Sequence, residues 1–222
     1  MHAHMTAEQA RQTGQNARAA AARHPGRAIV TYGRSLISLV IARSLHERGV
    51  EVIGCDDVGM TVLSFSRHCE ETFIHPPFDD DEEAALIVFE EAVRRYAPED
   101  DRPYVLIPSF RDARLFAKHR DRFEPLIRIA APDIASIEMV DPKDRFAGFC
   151  EAHRLPAPAT RILAPGQFRH TPPPDVTLPL IAKPTDGVGG RGVERIETSD
   201  DLTAYLKEAD PDAPVLLQEP VD

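Results

Sequence analysis

The sequence predicts an α/β chain in two parts: a doubly wound, mostly parallel sheet, then a smaller α+β unit. Three observations predict it. Short β-branched runs alternate with amphipathic helical segments from Arg27 to Pro132. A strand, a glycine-rich loop and a second strand then interrupt that alternation at residues 180–197. The chain has 222 residues, 42% of them hydrophobic, enough to bury a core in either part.

Residues 1–26 are rich in Ala, Gln and Arg, with Glu8 the only acid. They are expected to form a frayed leader helix ending at His24-Pro25-Gly26. A transit peptide, which is also Arg-rich and acid-poor, is the alternative. The first domain is expected over residues 27–132. "RAIVTY" reads as a strand stopping at Gly33, and "SLISLVIARSLHERG" as a helix closed by Gly49 in a left-handed cap. "VEVIGCDD" is the next strand. Strand, glycine turn, helix and strand in so short a span form a βαβ unit with a right-handed crossover. "TFIHP" is a short strand. "DDDEEAALIVFEEAVRRYA" is a helix with aspartates at its positive N-terminal end. "YVLIPS" is a strand, "RDARLFAKHRDRFEPL" a single helix and "IRIAAP" a fifth strand.

The second part is expected over residues 133–222. "DPKDRFAGFCEAHR" reads as a helix with Asp141 as N-cap and Pro142 at the first helical position. "LPAPAT" and Pro172-Pro173-Pro174 read as extended connectors. "LPLIAKPT", "VERIET" and "VLLQEPV" are strands, and "SDDLTAYLKEAD" is a helix.

Composition removes several classes. The longest uninterrupted apolar run, Ala84 to Phe89, is far short of the ~20 residues a helical membrane span needs. With 26 basic against 36 acidic residues, the net charge of −10 argues against a general nucleic-acid binder. Three cysteines (Cys55, Cys69 and Cys150) with no CxxC pair point to a reducing cytoplasm rather than a disulfide framework. His68 and His75 near Cys69 form a loose cluster for which hydrogen-bonded or solvent-facing histidines are the default over a metal site.

Only four residues are lysines, so their positions are informative. Lys183 lies on an apolar strand, where a lone cation is costly unless an anion neutralises it. Four residues later begins Gly187-Val188-Gly189-Gly190-Arg191-Gly192. Backbone this poor in side chains can approach polyanion oxygens and present successive N–H groups to them. A cation on a strand followed by a glycine flap suits a triphosphate; the plainer reading is a snorkelling lysine beside a mobile hairpin tip. Lys143, in the first turn of its helix, opposes the helix dipole, and a bound anion would reverse that balance. The plainer reading is an exposed lysine. In "VLLQEPVD", Pro220 ends regular pairing after Gln218-Glu219, leaving backbone groups that can read the edge of a flat base.

In this order and spacing, these pieces resemble the ATP-grasp superfamily. "RAIVTYGRSLISLVIARSLHERGVEVIGCD" followed by "VLIPS" is similar to the Rossmann-like pre-ATP-grasp domain. "DPKDRF" with "LPAPAT" is similar to that family's lysine helix and connector. "IAKPTDGVGGRGVERIETSDDL" resembles its nucleotide-binding lysine, flap and following helix, and "LLQEP" its hinge strand. "SRHCEETFIHPP" and "LIPSFRDARLFAKHRDRF" lean towards the carbamoyl-phosphate-synthase-like or carboxylate–amine ligase branch.

The resemblance implies that Lys143 and Lys183 contact ATP phosphates and that Gly187, Val188, Gly189, Gly190, Arg191 and Gly192 close over them. Gln218, Glu219, Pro220 and Val221 would bracket adenine, with backbone near Glu219 and Val221 reading its edge. It further implies small-molecule carboxylate and amine (or thiol) substrates, Mg²⁺ as the metal, a cytoplasmic enzyme and no nucleic acid or membrane partner. A homodimer is an assembly it allows.

The chain departs from the pattern in stopping at Asp222. The Mg²⁺ ligands are expected beyond that residue, no catalytic residue is expected within the chain, and the last strand is expected to leave an unfinished sheet edge. "SFRD" stands where relatives often carry an acid directly. The alternatives are a dehydrogenase, with Asp56 and Asp57 as ribose-binding acids after the Gly33 turn, and a non-catalytic nucleotide-binding or interaction module.

Overall fold

The computed structural model describes residues 25–167, 171–186 and 189–221. These form two compact units that divide after Pro132; most of the expected leader lies outside the described residues.

The first unit is built on a five-stranded sheet. Its strands are β1 (Arg27–Val30), β2 (Glu51–Asp56), β3 (Glu71–Ile74), β4 (Tyr104–Ile107) and β5 (Arg128–Ile129). Their order is β3-β2-β1-β4-β5, and every neighbouring pair is parallel. Ala28, Ile29 and Val30 are almost wholly buried, as befits a strand covered on both faces. Between the strands run α1 (Leu36–His46), capped by Ser35 through Ile37 N–H, and α2 (Glu82–Arg95), capped by Asp81 through Ala84 N–H. Gly49 takes a left-handed φ of 78° after α1. The chain leaves β1 in one lateral direction and returns beside it as β4, so the loops after these two strands diverge and leave a crevice.

The single helix expected over residues 111–126 is two, α3 (Asp112–Lys118) and α4 (Arg120–Phe123), broken at His119. The core explains the break. On a continuous helix Phe116 and Phe123 would be separated by about 10 Å of rise. The turn at His119 instead brings their rings to 5.2 Å, both against Phe89, at 4.6 and 5.8 Å.

The second unit carries a four-stranded antiparallel sheet of β6 (Thr160–Leu163), β7 (Leu180–Pro184), β8 (Glu194–Ile196) and β9 (Val215–Gln218), in the order β6-β9-β7-β8. Alternation along the strands divides it into two faces. Leu163, Leu180, Ala182, Val215 and Leu217 pack on Leu202, Tyr205 and Leu206 of the helix Ser199–Glu208. That helix begins with a capping box between Thr198 and Asp201. The other face presents Thr160, Ile162, Lys183, Leu216 and Gln218.

Four sequence expectations change here. A helix, α5 (Ile134–Val140), precedes the lysine helix and buries none of its side chains, so no apolar stripe announced it. The lysine helix, α6 (Lys143–His153), starts one residue later than expected. Pro142 is its N-cap, and Asp141 closes α5 by donating its N–H to Ile137 O; the Asp141–Pro142 peptide is cis. Thr160, the last residue of the expected connector "LPAPAT", opens a strand, β6, that continues through residues 161–163, to which no element was assigned. Consequently β9 is an interior strand, paired by β6 and β7, and is not an unfinished edge. The helix Ser199–Glu208 is α7.

Phe89→Ala should lower the stability of the first unit by about 3–5 kcal/mol, because Phe89 is fully buried within the aromatic cluster. Urea unfolding followed by tyrosine fluorescence measures this. Phe65→Ala, at a side chain 78% exposed, should shift stability by no more than about 0.5 kcal/mol. Equal effects of the two would contradict the assigned core.

Candidate functional site

Lys143 is the first residue of α6, and both its backbone N–H and its Nζ donate to Thr185 O, each at 3.1 Å. Thr185 directly follows β7, so the start of α6 is tied to the base of the glycine flap. Lys183, on β7, projects from the sheet face opposite α7. Its Nζ donates to Gln218 Oε1 at 2.6 Å, Gln218 Nε2 donates to Thr160 Oγ1 at 2.7 Å, and the Thr160 hydroxyl donates to Pro158 O at 2.9 Å. This relay crosses β7, β9 and β6 on one face and fixes the side chain of Gln218 between the lysine and the hydroxyl.

Both lysines line one cavity of about 590 Å³, within the range of small-molecule sites. Phe146, Ala147 and Cys150 of α6 form one wall; Ile162 and Leu216 form the sheet side. Among the described residues, Glu151 is the only acid in the lining. Burial depresses the pKa of Lys183, and the nearby Lys143 charge depresses it further. Two cations on a largely apolar wall favour an anion that can meet both, and the apolar remainder favours a flat group attached to it.

The structure brings Lys143, Lys183 and Gln218 together in this cavity; of the other expected residues, those that are described do not line it. Gly187 and Val188 are outside the described residues. Gly189, Gly190 and Gly192 take left-handed φ values of 64°, 76° and 70°. A Cβ on Gly192 would come within 3.2 Å of Pro184 Cδ, and the Tyr205 hydroxyl donates to Gly192 O at 2.8 Å, so the flap has a pinched exit. Arg191 and Gly192 line a separate cavity with Asp186 and Glu194. Glu219 and Pro220 line another, shared with Gln218, and Val221 is exposed. The Glu219 N–H is occupied by Ala159 O at 3.0 Å, while its carboxylate accepts the Ala159 N–H at 2.8 Å.

Sequence reasoning missed Thr160 and the α6 wall. Phe146 and Cys150, four residues apart, carry a helical-face signal that could have found the wall; a lone Thr in a proline-rich stretch carries none.

In the first unit, the Asp56 carboxylate is buried and held by the Arg34 guanidinium and by the N–H groups of Arg34 and Asp57, both at 2.7 Å. It is not presented to a ribose. Gly33 is required for close packing: a Cβ there would lie 3.1 Å from both Cys55 O and Thr61 Oγ1. Asp56 is thereby occupied as the ribose-binding acid that the dinucleotide alternative needs. Of the histidine–cysteine cluster, Cys69 Sγ donates to Glu71 O at 3.0 Å, His68 rests edge-on against His46, and His75 turns into the aromatic core.

No protein-family model matches the chain, and no curated protein does. Solved structures do match. L-amino acid ligase from Bacillus licheniformis aligns with a TM-score of 0.63 at 14% identity, over 88% of this chain and 44% of that one. N5-carboxyaminoimidazole synthetase from Staphylococcus aureus, complexed with ADP, gives 0.59 at 13% identity, over 89% and 48%. Biotin carboxylase from Campylobacter jejuni, as its β,γ-ATP complex, gives 0.58 at 15%, over 88% and 45%. The chain thus spans less than half the length of these structures, and at such identities the likeness shows the fold.

Lys143→Ala should raise the pKa of Lys183 part of the way towards its ordinary value, because burial, the larger cause, remains. A pH titration of the Lys183 ε-carbon signal measures it. The sign for stability follows. A lysine whose folded pKa is depressed costs stability below that pKa, and the cost is relieved as pH rises towards the unfolded value. The variant should flatten that rise; an unchanged Lys183 titration would show that the two charges do not interact.

Proposed function

We propose that this chain is part of an ATP-grasp ligase, and that its second unit supplies the phosphate and adenine side of the ATP site. The observation that carries this reading is the convergence of Lys143 and Lys183 on one otherwise apolar cavity. The fold likeness to nucleotide-bound ligases and carboxylases supports it. Lys143 and Lys183 neutralise the phosphates, Gln218 orients Lys183, and residues 187–192 close over the polyanion with their N–H groups. Phe146, Ile162 and Leu216 sandwich the base.

The reaction class is activation of a carboxylate. A carboxylate oxygen attacks the γ-phosphorus and ADP leaves. An amine (or thiol) then attacks the acyl carbon, phosphate departs and the nucleophile loses its proton. Mg²⁺ in such transfers neutralises developing phosphate charge. Among the described residues, no group of three or more His, Cys, Asp or Glu is placed to hold a metal ion. The proposal therefore assigns nucleotide binding to this chain and assigns neither the metal ligands nor turnover to its residues. It places the enzyme in the cytoplasm, in keeping with the free thiols Cys55, Cys69 and Cys150.

Calorimetric titration with ATP tests this. Lys183→Ala should weaken binding about 10- to 100-fold, the worth of one charge-assisted contact, and neither protein should release phosphate from ATP. Unchanged affinity in the variant would contradict the assignment of Lys183, and phosphate release by this chain would contradict the assignment of turnover.

A further inference from the structure

On the sheet face that carries Lys183, side chains from three strands meet in register. Thr160 of β6 lies directly opposite Gln218 of β9, and Gln218 lies opposite Ile181 of β7, two residues before Lys183. Diagonal neighbours of this kind are about 7–8 Å apart, a gap that two long side chains close and a short one does not. Lys183 and Gln218 therefore meet directly. With β9 between β6 and β7, Thr160 reaches the lysine only through the glutamine.

The hydroxyl decides which way the amide points. It has one proton, and that proton goes to Pro158 O, at 2.9 Å. Towards Gln218 the oxygen then offers only a lone pair, which the amide must meet with its Nε2, at 2.7 Å. Oε1 is left facing Lys183, whose Nζ donates to it at 2.6 Å. The reverse orientation would set the amide NH₂ against the ammonium, donor against donor, and would draw the hydroxyl proton away from Pro158 O. The three hydrogen bonds thus all run one way, from the lysine to a backbone carbonyl.

The threonine end is itself held. Ala159 N–H donates to the Glu219 carboxylate at 2.8 Å, and Glu219 N–H donates to Ala159 O at 3.0 Å, so β9 clips the residue before Thr160 from both sides. The branched Cβ of threonine restricts its χ1 and adds to that fixity. At the other end, burial and the Lys143 charge both disfavour the charged form of Lys183. An acceptor aimed at the ammonium offsets part of that cost.

We propose that Thr160 is a positioning residue of this site: it keeps the Gln218 carbonyl oxygen turned to Lys183 and so keeps the ammonium in the cavity. The orienting role depends on the sheet alone; its consequence for a phosphate rests on the nucleotide reading above.

The test compares Thr160→Val, which keeps the shape and removes the hydroxyl, with Thr160→Ser, which keeps the hydroxyl. Chains labelled with ¹³C at the lysine ε-carbons are titrated with pH in the absence of nucleotide. Thr160→Val should make Lys183 about 3- to 10-fold easier to deprotonate, the worth of one hydrogen bond to the charged form, and Thr160→Ser should titrate as the unaltered chain does. Gln218→Ala should act in the same direction, and Thr160→Val added to it should change nothing further, whereas an unrelated structural effect of the valine would add. Should Thr160→Val fail to fold, Thr160→Ala makes the same comparison. ATP should bind about 3- to 10-fold more weakly to the Val variant, and equally well to the Ser variant. The orienting role is overturned if Lys183 titrates unchanged without the hydroxyl, if Thr160→Ser behaves like Thr160→Val, or if the effects at 160 and 218 add. If Lys183 responds as expected and ATP affinity does not follow, the orienting role stands and the nucleotide reading fails.

Discussion

The placing of Lys143 and Lys183 on one half-buried, mostly apolar cavity is the constraint on which the site of the second unit depends. Two ammonium groups in a half-buried, mostly apolar cavity raise the free energy of the fold, and each is held there by other parts of it. Lys143 is tied by its backbone and side chain to Thr185 O. Lys183 is fixed by the relay through Gln218 and Thr160. The relay exists only because β9 is an interior strand, with β7 on one side and β6 on the other. α7 packs the opposite face and leaves this one for the cavity. An anion that meets both lysines would offset the cost of burying them together.

The first unit concentrates its polar chemistry at the carboxyl ends of its strands. Its interior is closed by Phe89, Phe116 and Phe123, and nothing there is available for chemistry. At the strand ends, Arg34 locks Asp56 in place, which disables the position a dinucleotide fold would use for ribose. Asp112 and His75 are among the residues that line a small cavity there, with Arg111 and Asp79. Two strained aromatic residues on the loops after β1 and β4 mark the point at which strand order reverses.

Much of this was legible in the sequence, and the parts that were not share physical reasons. The parallel sheet could be read because each strand is a continuous apolar run with turn chemistry at its ends. The two lysines could be read because cations are rare on apolar strands and disfavoured at helix starts. The break at His119 could not: it is imposed by three phenylalanines that must meet, a tertiary demand invisible to helical periodicity. α5 buries nothing and so had no stripe to read. β6 sits behind a run of prolines, and its pairing with β9 is set by partners more than fifty residues away. Thr160 follows from that pairing.

The central claim, that Lys143 and Lys183 hold the phosphates of a nucleotide, is tested most directly by observing all the lysines at once. The chain has only four. Lys118 pairs with Glu82 in the first unit, and Lys207 is exposed on α7. In a chain labelled with ¹³C at the lysine ε-carbons, addition of ATP should move the Lys143 and Lys183 signals together, along one saturation curve, and leave Lys118 and Lys207 in place. Movement of Lys118 or Lys207 alone, of all four alike, or of none would contradict the account.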